Sequence, residues 1–244
     1  MNADRPDPQP RLLLLVALVV STPFSAPRSD AAPQPTAMPR TWQFEFASTP
    51  PESIAIPDGE GNYSWYWYMP YRVMNTSKRD RALLPVITIA TDQGDIIRAN
   101  RNISPSVFTA IRIEMQMPLL QNPITMSRRL KRGRDHMRHS VAIWPAFEGD
   151  VDQFSVFVTG LSGEHTTVLD PATGEPVIDP ASLEPVIDPR TNEPKIDTST
   201  GEPVIEPRPL LLRKTFMLDY ELAGTTDHPQ RLSPVRAGRH WVMR

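Results

Sequence analysis

From Asp170 the chain repeats itself every nine residues, and this period limits what it can fold into more than any other feature. The copies are Asp170–Ile178 (DPATGEPVI), Asp179–Ile187 (DPASLEPVI), Asp188–Ile196 (DPRTNEPKI) and Asp197–Ile205 (DTSTGEPVI). Two prolines in most copies exclude a helix and remove ladder donors, and one apolar pair per copy cannot form a core. Residues 170–207 therefore read as a disordered, partly polyproline II loop, with a reach of up to about 110 Å at about 3.1 Å per residue. His165–Leu169 before it and Leu210–Leu222 after it read as strands. One copy of Asp-Pro-Ala-Thr-Gly-Glu-Pro suits a hairpin turn. The other three copies then read as a tandem expansion of that hairpin tip, which is tolerated because each doubling of a loop costs only ~0.6 kcal/mol.

Outside the repeats the pattern is that of short strands. Trp42–Phe46 alternates strictly between apolar and polar residues. Ser53–Ile56 is a second candidate, and Tyr63–Met74 is the most aromatic stretch of the chain. There Trp65 and Trp67 fall on one face of a strand, Tyr66 and Tyr68 on the other. Leu83–Ala90 and Asp95–Ala99 flank Thr91-Asp92-Gln93-Gly94 as a hairpin, and Val141–Trp144 and Phe154–Val158 are two further strands. Ser104-Pro105 ahead of Val107, Phe108, Ile111 and Met115 has the cap, the first-turn proline and the apolar spacing of a short helix. Arg128–His139, with six basic residues, reads as an exposed loop, and the chain loosens again over Gly224–Arg239, with His240–Met243 docking as a last strand or fraying. This pattern predicts an all-β immunoglobulin-like β-sandwich of about seven to nine strands with one short helix; a barrel is the alternative.

The N-terminus sets the expected compartment. Met1–Arg11, the apolar run Leu12–Val20 and the small-residue stretch ending Ser29-Asp30-Ala31 have the three-part layout of a secretory signal peptide. Residues 1–31 read as that signal, 32–40 as a linker, and 41–169 with 208–244 as one sandwich domain. No later run approaches the ~18 apolar residues of a spanning helix, so no integral membrane span is expected after signal cleavage. The chain has no cysteine, which excludes disulfides, thiol catalysis and thiolate metal sites. The formal charge is −2, but residues 170–207 hold nine acids against two bases, leaving the rest of the mature chain near +5. That surplus is too small to point to nucleic acid.

Candidate sites are few. Trp65 and Trp67, in the cluster with Tyr66, Tyr68 and Tyr71, could form a sugar-stacking platform or fill the core. Asp58, Glu60 and Asn62 have the alternate-residue spacing of calcium loops but lack the closing glutamate, Met69 standing in its place. His136 and His139 lie beside Asp135, but Arg134 and Arg138 would repel a metal ion. The basic run Arg128–Arg134 suits an anionic envelope polymer, lipid headgroups or plain solvent. Asn62, Asn75 and Asn102 begin glycosylation triplets. No Gly-x-Ser-x-Gly elbow and no Gly-x-x-x-x-Gly-Lys loop occurs, so no catalytic residue, metal or cofactor is assigned.

In composition the acidic Thr-Gly-Glu-Pro repeats resemble stalk segments of bacterial cell-surface proteins, over less than a sixth of the chain. The expectation is an exported protein, secreted or periplasmic, acting by contact with a protein or an envelope polymer. A carbohydrate-binding module using Trp65 or Trp67 and an unrecognised hydrolase are the alternatives.

Overall fold

The computed structural model describes residues 33–57, 61–147, 151–222 and 233–244. The expected signal segment, Ala32, and Asp58 and Glu60 of the oxygen-rich turn lie outside the described residues.

In chain order the elements are β1 (Glu45–Ser48), β2 (Glu52–Pro57), β3 (Tyr63–Met74), β4 (Arg81–Ala82), β5 (Val86–Thr91), β6 (Ile96–Arg98), α1 (Pro105–Glu114) and α2 (Pro123–Met126). There follow β7 (Arg129–Leu130), β8 (Arg138–Pro145), β9 (Gln153–Thr159), β10 (His165–Thr167), β11 (Ile178–Pro185), β12 (Ile205–Pro209), β13 (Leu211–Glu221) and β14 (Val235–Met243). Strands take 49% of the described residues against 9% for helix, so the all-β expectation holds.

β3 is the spine of a four-stranded antiparallel sheet. β1 and β2 pair end to end along one of its edges, and β8 pairs along the other. β13 anchors a six-stranded sheet, with β9 on one edge and β14 on the other; β5 and then β6 continue beyond β9. The alternation of β3 has the consequence read from sequence. Trp67, Met69, Tyr71 and Val73 turn inward to meet Ile87, Ile89, Val156, Val158 and Leu218 of the opposite sheet in one core. An aromatic chain crosses that core: Trp67 stacks on Phe147 (5.6 Å), Phe147 meets Phe154 edge-on (5.3 Å), and Phe154 stacks on Tyr220 (5.2 Å). The other parity of the first sheet, Tyr66, Tyr68, Val141 and Ile143, is roofed by Val107 and Ile111 of α1 in a second, smaller core.

Several sequence expectations need correction. Among the described residues the two sheets hold ten strands where about seven to nine were expected, and there is a second, single-turn helix, α2, because Asn122 caps the Ile124 amide (2.8 Å) and Pro123 takes the first helical position. Arg128–His139 is not a free loop: Leu130 is fully buried, Arg129–Leu130 pairs with Arg81–Ala82 as β7 with β4, and Arg138 in β8 donates to the Met126 and Arg129 carbonyls (2.9 and 2.7 Å). Residues 235–239 belong to β14 rather than to a loose tail. Part of the expected linker is pinned. Thr36 donates its amide and hydroxyl to Glu164 (2.8 and 2.7 Å), and its carbonyl receives the Lys214 ammonium (2.8 Å). Residues 170–207 carry regular backbone pairing where a disordered loop was expected. With no cysteine and no immunoglobulin Cys–Trp spacing, the architecture is named only as an antiparallel β-sandwich.

Candidate functional site

The aromatic candidates separate. Trp67 is 1% exposed and covered by Phe147, so no sugar ring reaches its face. Trp65 is half-buried, and its carbonyl receives the Ala146 amide (2.9 Å). Asn75 is fully buried, its side chain committed to backbone groups, and cannot accept a glycan in the folded chain. His136 and Asp135 lie on an exposed 3-10 turn, whereas His139 lies on β8 and lines a groove elsewhere. Among the described residues no group of three or more His, Asp or Glu is placed to hold a metal.

That groove, of about 590 Å³, lies where the C-terminal end of α1 meets the outer face of the first sheet. Glu52, Tyr68, Arg72 and His139 come from the sheet; Glu114, Met115, Met117 and Leu120 come from the helix end and the turn beyond it. Tyr68 donates to Glu52 Oε2 (2.7 Å). Burial, then that hydrogen bond and the charges of Glu52 and Glu114, push the Tyr68 phenol well above its ordinary value and keep it a donor. Tyr71, beneath it, is pushed up to about 12 by burial, with Ser140 pulling weakly the other way. The groove thus offers carboxylate acceptors, an imidazole and an apolar wall. Its residues went unnoticed as a set, although Glu52 shares the parity of Ile54 and Ile56, a sign that it faces the helix-covered side.

The repeats form a second feature. In copies one, three and four the Asp amide donates to the Glu carbonyl (2.8–2.9 Å), and the fifth residue, Gly174, Asn192 or Gly201, donates back to the Asp carbonyl (2.7–2.8 Å). Each fifth residue has positive φ (73°, 59° and 73°), which Gly and Asn adopt readily. Each Asp carboxylate accepts from the amide two residues on (2.8 Å), closing an Asx-turn over the proline or threonine between. Copy two keeps the Asx-turn, the Ala181 amide donating to Asp179 Oδ1 (3.0 Å), but has Leu183 in the fifth place and does not reverse the chain there. It runs on as β11, pairs with β12 and bulges between Asp179 and Leu183. The residues before each Ile or Leu then meet in threes. Val177 donates to Val168 (2.9 Å), Leu210 to Val177 (2.8 Å) and Val168 to Leu210 (2.9 Å), a closed ring of backbone hydrogen bonds. Lys195, Val204 and Val186 repeat the ring at 2.7, 2.8 and 2.9 Å. The rings turn the larger apolar residues, Leu169, Ile178, Ile187, Ile196 and Ile205, outward, each between 41% and 54% exposed. Among the described residues one ion pair is seen in this arm, Arg208–Glu184 (2.8 Å).

No family model matches the chain, and neither a curated protein nor a solved structure matches it.

Proposed function

We propose that this is an exported contact module: a β-sandwich that holds out a hydrogen-bonded acidic arm through which it binds another envelope or secreted macromolecule without chemical turnover. The observation that carries this reading is the exposure of Leu169, just before the first copy, and of Ile178, Ile187, Ile196 and Ile205, one large aliphatic residue per copy left in water. The arm satisfies its own backbone through the rings, so these side chains are not needed to hold it together. An apolar residue left in water gains free energy only when a partner covers it, at about 25 cal/mol per Å². The test is a photo-crosslinking residue at Ile187 or Ile196 in the exported protein. One defined adduct, lost on deletion of Asp179–Ile205, supports the reading. Labelling no stronger than from a control at the polar tip residue Thr191, or turnover of any ester, peptide or glycoside by the purified chain, overturns it.

A second reading, a site for a small hydroxyl-rich ligand, is favoured by the groove. Its volume is in the usual range for ligand sites, roughly 300–1,000 Å³, and Glu52 and Tyr68 are already held in register. Glycan binding abolished by Glu114→Ala without loss of folding would favour this reading.

A further inference from the structure

The basic run Arg128–Arg134 has a structural partner that its own sequence does not disclose. β4 pairs with β7, the Leu83 amide donates to the Arg128 carbonyl (3.0 Å), and the Arg132 amide donates to Asp80 Oδ1 (3.1 Å). These bonds set residues 78–81, with three cations, beside residues 128–134, with five. Asn75 fixes the loop between: its amide donates to the Arg79 and Leu130 carbonyls (2.9 Å each), and its oxygen accepts the Ser77 amide and hydroxyl (3.0 and 2.7 Å). Lys78 and Arg79 thus stand exposed on a turn held by a buried side chain. Among the described residues the one ion pair in this face is Arg129–Asp80, at 3.6 Å and largely exposed, so most of the positive charge is left unneutralised.

The face opens into a cleft of about 730 Å³, lined by Arg40, Lys78, Arg79 and Arg81 against a single carboxylate, Glu45. Two polar atoms in its walls are buried without a partner, the donor Arg81 Nε and the acceptor Gln43 Oε1. A buried polar atom without a hydrogen bond is costly, and a small shift of either side chain toward the cleft would let Arg81 donate to an anionic oxygen of a ligand and Gln43 accept from a hydroxyl. The indole of Trp42 in the cleft is occupied by the Arg81 guanidinium (5.6 Å) and closed on another side by Gly163, where an added Cβ would collide with the ring. The ring is therefore not free to stack a nucleic-acid base, a usual source of single-strand affinity. We infer that the cleft and the basic face beyond it bind an acidic polysaccharide, its carboxylate, sulfate or phosphate groups taken by Lys78, Arg79 and Arg81 and a sugar hydroxyl by Gln43. This site is separate from the arm and stands whether or not the arm binds a partner.

The experiment measures binding of the full exported chain to polygalacturonate, heparin, neutral dextran, single-stranded DNA and anionic phosphatidylglycerol vesicles at rising salt. The expected result is binding to an acidic polysaccharide and not to dextran, with affinity falling linearly on a log–log salt plot. The double variant Lys78→Gln/Arg79→Gln, both side chains exposed, is expected to keep its melting temperature, to bind roughly tenfold more weakly and to lose about 2 from the salt slope, one for each contact removed. Arg190→Gln/Lys195→Gln in the arm is the charge-matched control and leaves binding unchanged. DNA or vesicles bound more tightly than either glycan, no binding to either glycan, or a Lys78/Arg79 variant that binds as wild type would each overturn the assignment.

Discussion

Replacing Glu164 with alanine tests the buried contact that ties the segment before the first strand to the sandwich. Lys214 is 1% exposed at its side chain and Glu164 11%, with 3.0 Å between Lys214 Nζ and Glu164 Oε2. Removing one member of such a pair leaves a buried charge without its counter-ion, a loss of about 3–5 kcal/mol. The Thr36 carbonyl offers little rescue, because Thr36 is itself held by Glu164. What remains to Lys214 is the Trp241 ring, 5.3 Å away. For a chain of this size each kcal/mol moves the melting temperature by about 2–4 °C, so a fall of about 6–20 °C is expected by calorimetry. The pH dependence carries the same signature. Burial alone would raise the Glu164 carboxyl, but the Thr36 amide and hydroxyl and the Lys214 ammonium outweigh it and hold it below the ordinary 4.5. A depressed carboxylate stabilises fully above its unfolded value and loses that stabilisation as pH falls through the lower folded value. Wild type should therefore lose stability below about 4.5 more steeply than the variant. Glu164→Leu with Lys214→Met should recover most of the loss, since an apolar pair of similar volume replaces the ion pair. A Glu164→Ala melting temperature within about 2 °C of wild type, with amide protection at Thr36 unchanged, would refute the reasoning.

Deleting Asp179–Ile205, three of the four copies, should move the melting temperature by no more than about 4 °C, roughly 1 kcal/mol, and a larger fall would mean that the repeats support the sandwich. Trp67→Ala should cost about 3–5 kcal/mol in urea unfolding because it empties the inner core; a cost below about 1 kcal/mol would return Trp67 to the list of surface platforms. Tyr71 has a folded pKa of about 12 against 10.0 unfolded, so the stabilisation from keeping it neutral is complete below 10.0 and fades as pH rises toward 12. Tyr71→Phe should therefore flatten the alkaline loss of stability over that interval, and an unchanged slope would count against a neutral, buried phenol.

What could be read from the chain was whatever depends on near neighbours. The period-two pattern of Tyr63–Met74 gave the strand and both of its faces, since side chains alternate whatever the strand pairs with. Ser104-Pro105 marked the start of α1 because a cap and a first-turn proline act within one turn, and the Ser104 side chain does accept from Ser106. Contacts that depend on distant partners left no local trace. Lys214 meets a carbonyl 178 residues earlier and a carboxylate 50 residues earlier, and in sequence it is an ordinary basic residue in a strand. The basic face was half visible as Arg128–Arg134, but residues 78–81 join it through two-residue strands too short to leave a pattern. The groove residues Glu52, Tyr68, Glu114 and His139 come from four separate segments and meet only once α1 lies on the sheet.

The repeats show why composition alone misjudged their order. Two prolines in three of the copies and one in the fourth do remove donors and exclude a helix, but each copy places its prolines where the ring makes no demand. The donors of the rings are Val168, Val177, Val186, Lys195, Val204 and Leu210, none of them proline. The fifth residue then selects the path. Gly or Asn reverses the chain into a tip, while Leu183 lets it run on as β11 to the site of the second ring. A ring needs three strands, so the arm grows by whole sets. Copies two to four supply Val186, Lys195 and Val204, which close one complete ring, while the first copy closes its own ring with the entering and leaving strands of the sandwich. Removing three copies subtracts one closed ring and rejoins the chain near Ile178 and Pro209, which are already paired. Removing a single copy of that set leaves a ring with two members and unpaired amides. The number of repeats is thereby tied to a backbone hydrogen-bond count, a constraint that a disordered linker of the same composition would not have.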